Sequence, residues 1–80
     1  MLDQLKTHRR VVGIKQLRRA LKEGSVQGAF LARNADPALT EPLVELCESL
    51  GVEICWIGTM SELGKACGIS VGAAAAGILI

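Results

Sequence analysis

Four bases recur along one stretch of the chain, Lys15, Arg18, Arg19 and Lys22, at i, i+3, i+4 and i+7. That spacing places them on one face of an α-helix whose other face carries Leu17, Ala20 and Leu21. A stripe of this kind binds anions. Gly13 precedes it, so the helix start offers free backbone N–H groups and the positive end of the dipole. Lys15, Arg18 and Arg19 are read as gathering toward that end, where cations are locally unfavourable and ask for an external anion. A merely solvated face is the competing reading, and the distribution of charge brings the two level. Residues 1–23 hold seven bases against Asp3 and Glu23, a balance of +5, whereas residues 24–80 hold Arg33 and Lys65 against six acids, a balance of −4. A basic end on an otherwise mildly acidic molecule steers an anionic partner.

Other chemistries find little to work with. Cys47, Cys55 and Cys67 are 8 and 12 residues apart, without a CxxC pair, and His8 is distant in sequence. The cysteines therefore read as small buried hydrophobes in a reducing cytosol, and no metal site is expected. One His and no GxSxG or HExxH pattern leave no nucleophile beside a base, so no catalytic residue and no cofactor are expected. Residues 58–66 (GTMSELGKA) approach a phosphate-binding loop, but five residues separate Gly58 from Gly64 and Ala66 stands where a hydroxyl must hold Mg²⁺. Thr59 with Glu62 explains the segment better, as a capping box. Gly64, Gly68 and Gly72 read as a tight loop with exposed backbone. The start of the chain lacks a signal peptide's apolar stretch, and residues 71–80 are too short to span a bilayer. A cytoplasmic location follows as the expectation.

The elements that must position these residues are legible from hydrophobic period. Eighty residues, half of them hydrophobic and only two aromatic, make one small aliphatic-cored domain, taken as 1–80. A short helix is expected over residues 2–8, then a brief apolar step at Val11 and Val12, then the basic helix ended by Gly24. Residues 29–32 (AFLA) read as a buried strand. Either Asp36, with Pro37 at the first helical position, or Thr40 caps the next helix. Its core face is Leu43, Leu46, Cys47 and Leu50, its solvent face Glu41, Glu45 and Glu48, and its stop Gly51. Residues 52–57 (VEICWI) read as a strand covered on both sides, with Trp56 in the core. Residues 73–80 are ambiguous, because four alanines favour helix and the GILI end favours strand. The alternation gives an α/β fold with helices on both faces of a buried sheet.

Three ordered stretches resemble a known family. They are residues 13–20 (GIKQLRRA), residues 32–37 (ARNADP) followed by Leu46-Cys47-Glu48, and residues 63–68 (LGKACG). Together they are similar to the small kink-turn RNA-binding proteins that include an archaeal large-subunit ribosomal protein and its bacterial relatives. The resemblance spans about residues 10–80. It implies a three-layer α-β-α sandwich with a small mixed sheet, in which the last run is a strand.

The resemblance also implies where RNA is held. The helix start would enter the widened major groove beside tandem sheared G·A pairs, bringing Gly13, Ile14, Lys15, Gln16, Arg18 and Arg19 to it. Gly13 permits backbone approach, Arg19 donates to guanine O6 and N7, and Gln16 stands where relatives carry Glu. Ile69, Ser70 and Val71 would cover a nucleotide flipped from the bulge, and Lys65 would assist with phosphate. Met60 replaces a Lys of many relatives, which removes one phosphate contact. The implied partner is a kink-turn in ribosomal or other structured RNA, bound by a monomer with no membrane association, in the cytoplasm or on the ribosome. The alternative from another class is a ribosome-associated protein-interaction module, with only nonspecific RNA affinity, that uses Glu41, Glu45 and Glu48.

Overall fold

The computed structural model describes Leu5 and residues 8–80. The short helix expected over residues 2–8 falls mainly outside the described residues. Four strands and three helices follow: β1 (Arg10–Val12), α1 (Ile14–Lys22), β2 (Val26–Ala32), α2 (Pro37–Leu50), β3 (Glu53–Ile57), α3 (Met60–Ala66) and β4 (Ala75–Leu79).

The sheet runs in the order β1-β4-β2-β3. β2 and β3 are parallel, with Phe30 opposite Cys55, as a strand-helix-strand crossover requires. β4 is antiparallel to both β1 and β2, pairing Gly77 with Val11 on one side and with Ala29 on the other. The sheet is therefore mixed, and the ambiguous C-terminal run is a strand. Side chains alternate between two cores. Leu17, Ala20 and Leu21 of α1 and Leu43 and Cys47 of α2 cover Ala29, Leu31 and Ala75 on one face. Leu5 and α3, through Leu63 and Cys67, cover Phe30, Ala32, Ile57, Ala76 and Ile78 on the other. This is the three-layer arrangement expected.

Local signals explain most boundaries. α1 begins at Gly13, whose φ of 112° is open to glycine, and ends where Gly24 turns left-handed at φ 72°. Asp36, not Thr40, caps α2: its carboxylate accepts from the Ala38 N–H at 2.9 Å, Pro37 follows, and Thr40 is buried within the helix. Gly51, at φ 70°, stops that helix as predicted. β2 starts three residues earlier than its apolar core suggests, because the bulge between Val26 and Gly28 keeps the segment paired with β4.

Four expectations are corrected. Trp56 is 39% exposed and is not a core residue, and β3 is covered only in part, with Ile54 packed against the core under α1 and α2 and Cys55 and Ile57 against the opposite one. β3 is the edge of the sheet, paired only with β2, so half-buried positions are what its place allows. Leu50 is exposed rather than part of the α2 core face. The bases of α1 do not gather at its start. In a nine-residue helix only Lys15 lies in the first turn, while Arg19 and Lys22 occupy the last turn, where they complement the dipole.

Leu43 is fully enclosed between α2 and the sheet. Leu43→Ala is expected to lower the unfolding free energy by about 3 kcal/mol, read from urea denaturation with an unchanged m-value.

Candidate functional site

The start of α1 has no side chain of its own to satisfy it. Gly13 supplies no cap, and no acid lies in the first turn. The backbone there is nonetheless fixed, since Gly13 N–H donates to the Ala75 carbonyl at 2.8 Å and its own carbonyl accepts from Leu17 N–H at 3.0 Å. The Gln16 side chain folds back over Gly13, so that a β-carbon at position 13 would collide with its amide oxygen. Gly13 is thus favoured by its backbone angle, and a larger residue there would also displace the exposed Gln16 amide. Lys15, Gln16, Arg18 and Arg19 are all exposed. Arg19 stands between two depressions. One, of about 410 Å³, is lined by Lys15, Arg18, Arg19, Lys22 and Glu23. The other, of about 370 Å³, includes Arg9, Gln16 and Arg19 above the apolar residues Val11 and Leu79.

The second element is the loop between α3 and β4. Thr59 Oγ1 accepts from Glu62 N–H at 3.1 Å, as the capping motif predicts, and Asn34 Oδ1 accepts from Met60 N–H at 2.8 Å. α3 then closes through a paired C-terminal motif: Ile69 N–H donates to the Gly64 carbonyl and Gly68 N–H to the Lys65 carbonyl, both at 3.0 Å. The left-handed Gly68, at φ 78°, makes that closure possible. The chain next doubles back along the helix. Gly64 lies directly under the Val71 carbonyl, Gly72 lies against Met60, and Ala73 N–H donates to the Met60 carbonyl at 2.9 Å. With the backbone held so close, side chains turn outward, and Ile69 and Val71 are 37% and 68% exposed, beside Met60 at 36%.

Both elements lie at one end of the sheet. Gly13, which opens α1, is bonded to Ala75, which opens β4 directly after the loop. The Ala32 N–H donates to Ala74 and the Arg33 N–H to Ile57, so the ends of β2 and β3 converge there as well. Gly13, Lys15 and Gln16 are therefore brought to the same end as the loop of Ile69, Ser70 and Val71. Ile14 offers backbone alone, because its side chain packs on the core under α1. Lys65 lies apart, lining a depression of about 240 Å³ with Leu5, Arg10 and Gly68. Two positioning side chains escape sequence reasoning. Asn34 acts across 26 positions, and Arg10, whose Nη2 donates to the Cys67 carbonyl at 2.8 Å, acts across 57. Neither leaves a local signal.

The sheet also separates the cysteines. Cys47 belongs to the core under α1 and α2, whereas Cys67 and the half-buried Cys55 lie with the opposite core. Burial pushes the Cys47 thiol above its ordinary range, and it does the same to Cys67 against a smaller opposing effect of the Arg10 charge. Both thiols are therefore held neutral and poorly nucleophilic.

Two outcomes follow from this packing. Gly64→Ala is expected to push the Val71 carbonyl aside, costing about 1–3 kcal/mol and shifting the amide resonances of residues 68–72; an unshifted loop would contradict the close packing. A thiol reagent at pH 8 should modify Cys55 well before Cys47 and Cys67. Because the folded thiols ionise later than unfolded ones, their stabilising contribution is complete below about pH 8.5 and declines as pH rises beyond it. Denaturant midpoints measured across that range test the sign.

Residues 2–80 match the ribosomal protein L7Ae/L30e/S12e/Gadd45 family. Among curated proteins, the chain is 47% identical over 70 residues to an RNA-binding protein of Bacillus pumilus, covering 88% of this chain and 85% of that one. It is 32% identical over 68 residues to the large ribosomal subunit protein eL8 of Halobacterium salinarum, covering 84% of this chain and 57% of that protein. Among solved structures, the 15.5kD RNA binding protein of Giardia lamblia superposes with a TM-score of 0.89 at 27% identity, over 99% of this chain and 70% of the other. Matched along nearly its whole length in sequence and in fold, the chain belongs to the ribosomal protein L7Ae/L30e/S12e/Gadd45 family.

Proposed function

We propose that this chain is an RNA-binding protein that recognises and stabilises kink-turns in ribosomal or other structured cytoplasmic RNA, acting as a monomer without catalytic chemistry. The observation that carries the reading is the convergence, at one end of the sheet, of an uncapped helix start and an outward-turned apolar loop. RNA-binding relatives on both the sequence and the structure side support the partner class.

The two elements suit the two problems that a sharply bent RNA poses. A-form RNA hides its base edges in a deep, narrow major groove, so recognition needs a distorted site where they are open. The N-terminus of α1 is narrow and bare enough to enter such a groove. Gln16 presents an amide with one acceptor and two donors to guanine edges, Arg19 presents a planar fork of donors, and Lys15 and Arg18 meet phosphate. Ile69 and Val71, with Ser70 between them, cover a base extruded from the bulge and keep water from its face. Binding then favours the bent conformer by differential affinity, without work done on the RNA.

The test is a titration of an end-labelled kink-turn duplex at two salt concentrations, beside a duplex whose G·A pairs are replaced by Watson–Crick pairs. Saturable bending of the first alone, weakening as salt rises, is expected. Arg19→Ala should cost about 1–3 kcal/mol of that affinity and narrow the difference between the two duplexes. Equal weak binding to both, lost at the higher salt, would leave only a nonspecific basic patch.

A further inference from the structure

We infer that Arg10 is a positioning residue that ties the two halves of the RNA-binding face together, by gripping the C-terminus of α3 from the strand that leads into α1. This rests on the RNA-binding reading above. The loop of residues 68–72 is bonded chiefly to its own helix, through Ile69 to Gly64 and Ala73 to Met60. It therefore moves as α3 moves. α3 is only seven residues long and has side chains from elsewhere in the fold at both ends. Asn34 Oδ1 accepts from Met60 N–H at the start, and Arg10 Nη2 donates to the Cys67 carbonyl at the finish.

The second of these bonds has a particular geometry. Cys67 is the C-cap of α3, and its carbonyl belongs to the set that a helix end leaves without an internal partner. A guanidinium placed there satisfies that carbonyl and meets the negative end of the dipole. Arg10 also lies near the left-handed Gly68, where a β-carbon would stand 3.8 Å from its Nη2. On its own strand Arg10 is three residues before Gly13, which anchors the start of α1 to Ala75. One three-residue strand thus holds the helix start at its exit and the loop-bearing helix at its entry. The bond consumes a basic residue from the cationic end of the chain. Arg10 serves the binding face by fixing the spacing of its parts, while Lys15, Arg18 and Arg19 meet the anion.

The experiment compares the intact chain with Arg10→Met and Arg10→Lys on the kink-turn duplex and its Watson–Crick control. Three quantities are read: the ratio of affinities for the two RNAs, the salt slope, and amide hydrogen exchange of residues 68–72 in the free protein. For Arg10→Met the expected result is a loss of about tenfold in the affinity ratio, faster exchange in the loop, and an unchanged salt slope, with Arg10→Lys recovering part of the ratio. An unchanged ratio overturns the inference. So does a salt slope reduced by about one with the loop unaltered, which would make Arg10 a phosphate contact. Should Arg10→Met not fold, side-chain nitrogen relaxation in the unaltered protein decides: a guanidinium at Arg10 as mobile as that of Arg18 overturns the inference, and a rigid one upholds it. Failure of the unaltered protein to distinguish the two duplexes would instead refute the RNA reading on which the inference rests.

Discussion

Strand β4 has no free side. It lies between β1 and β2 in the sheet and has helices packed over both faces, so every atom it carries must fit between neighbours already in contact. Gly77 states the limit: a β-carbon there would come within 2.7 Å of a Leu17 methyl. Small residues in β4 let α1 settle close to the sheet, and that closeness fixes the height and tilt at which the helix start emerges. Ala75, the first residue of the strand, is bonded to Gly13 and follows directly on the loop. Both parts of the candidate interface are therefore referred to one strand, which is how an eighty-residue chain with few aromatic groups holds two short irregular segments in register.

That constraint also explains what could and could not be read from the sequence. The faces of α1 and α2 are local patterns of period 3.6, and Leu17, Ala20, Leu21, Leu43 and Cys47 were legible because burial repeats along a helix. The alanines of β4 were not, since the same residues suit a helix on propensity and a crowded central strand on packing, and packing decided. Trp56 was misread for the converse reason: its segment is apolar enough for the interior, but strand order puts it at an edge, and strand order has no local signature. The family resemblance resolved the last strand where periodicity did not.

The candidate site divides in the same way. Residues that present chemistry, Lys15, Gln16, Arg18 and Arg19, stand close together in sequence and advertise themselves by type and spacing. Residues that place them do not. Gly64, Gly68 and Gly72 read as a tight loop with exposed backbone, but Gly64 is buried within α3 under the Val71 backbone and Gly72 lies against Met60. Asn34 and Arg10 carry no individual role in the sequence reading, yet each reaches a helix end contributed by a distant segment. Exposed hydrophobic residues on such a braced loop keep their outward direction without a partner present, which lowers the ordering cost when one arrives.

Strand order has a last consequence, for how the fold assembles. β1 precedes the other described strands in sequence, but among the described residues its neighbour in the sheet is β4, which follows them all. Until residues 75–79 dock, β2 and β3 can pair with each other while β1 and the Gly13 backbone have no strand to join. With β4 undocked, the basic helix would lack the Gly13–Ala75 bond that fixes its start. The pairing of β1 with β4 spans the longest sequence separation in the described sheet, and the placement of the helix start waits on it.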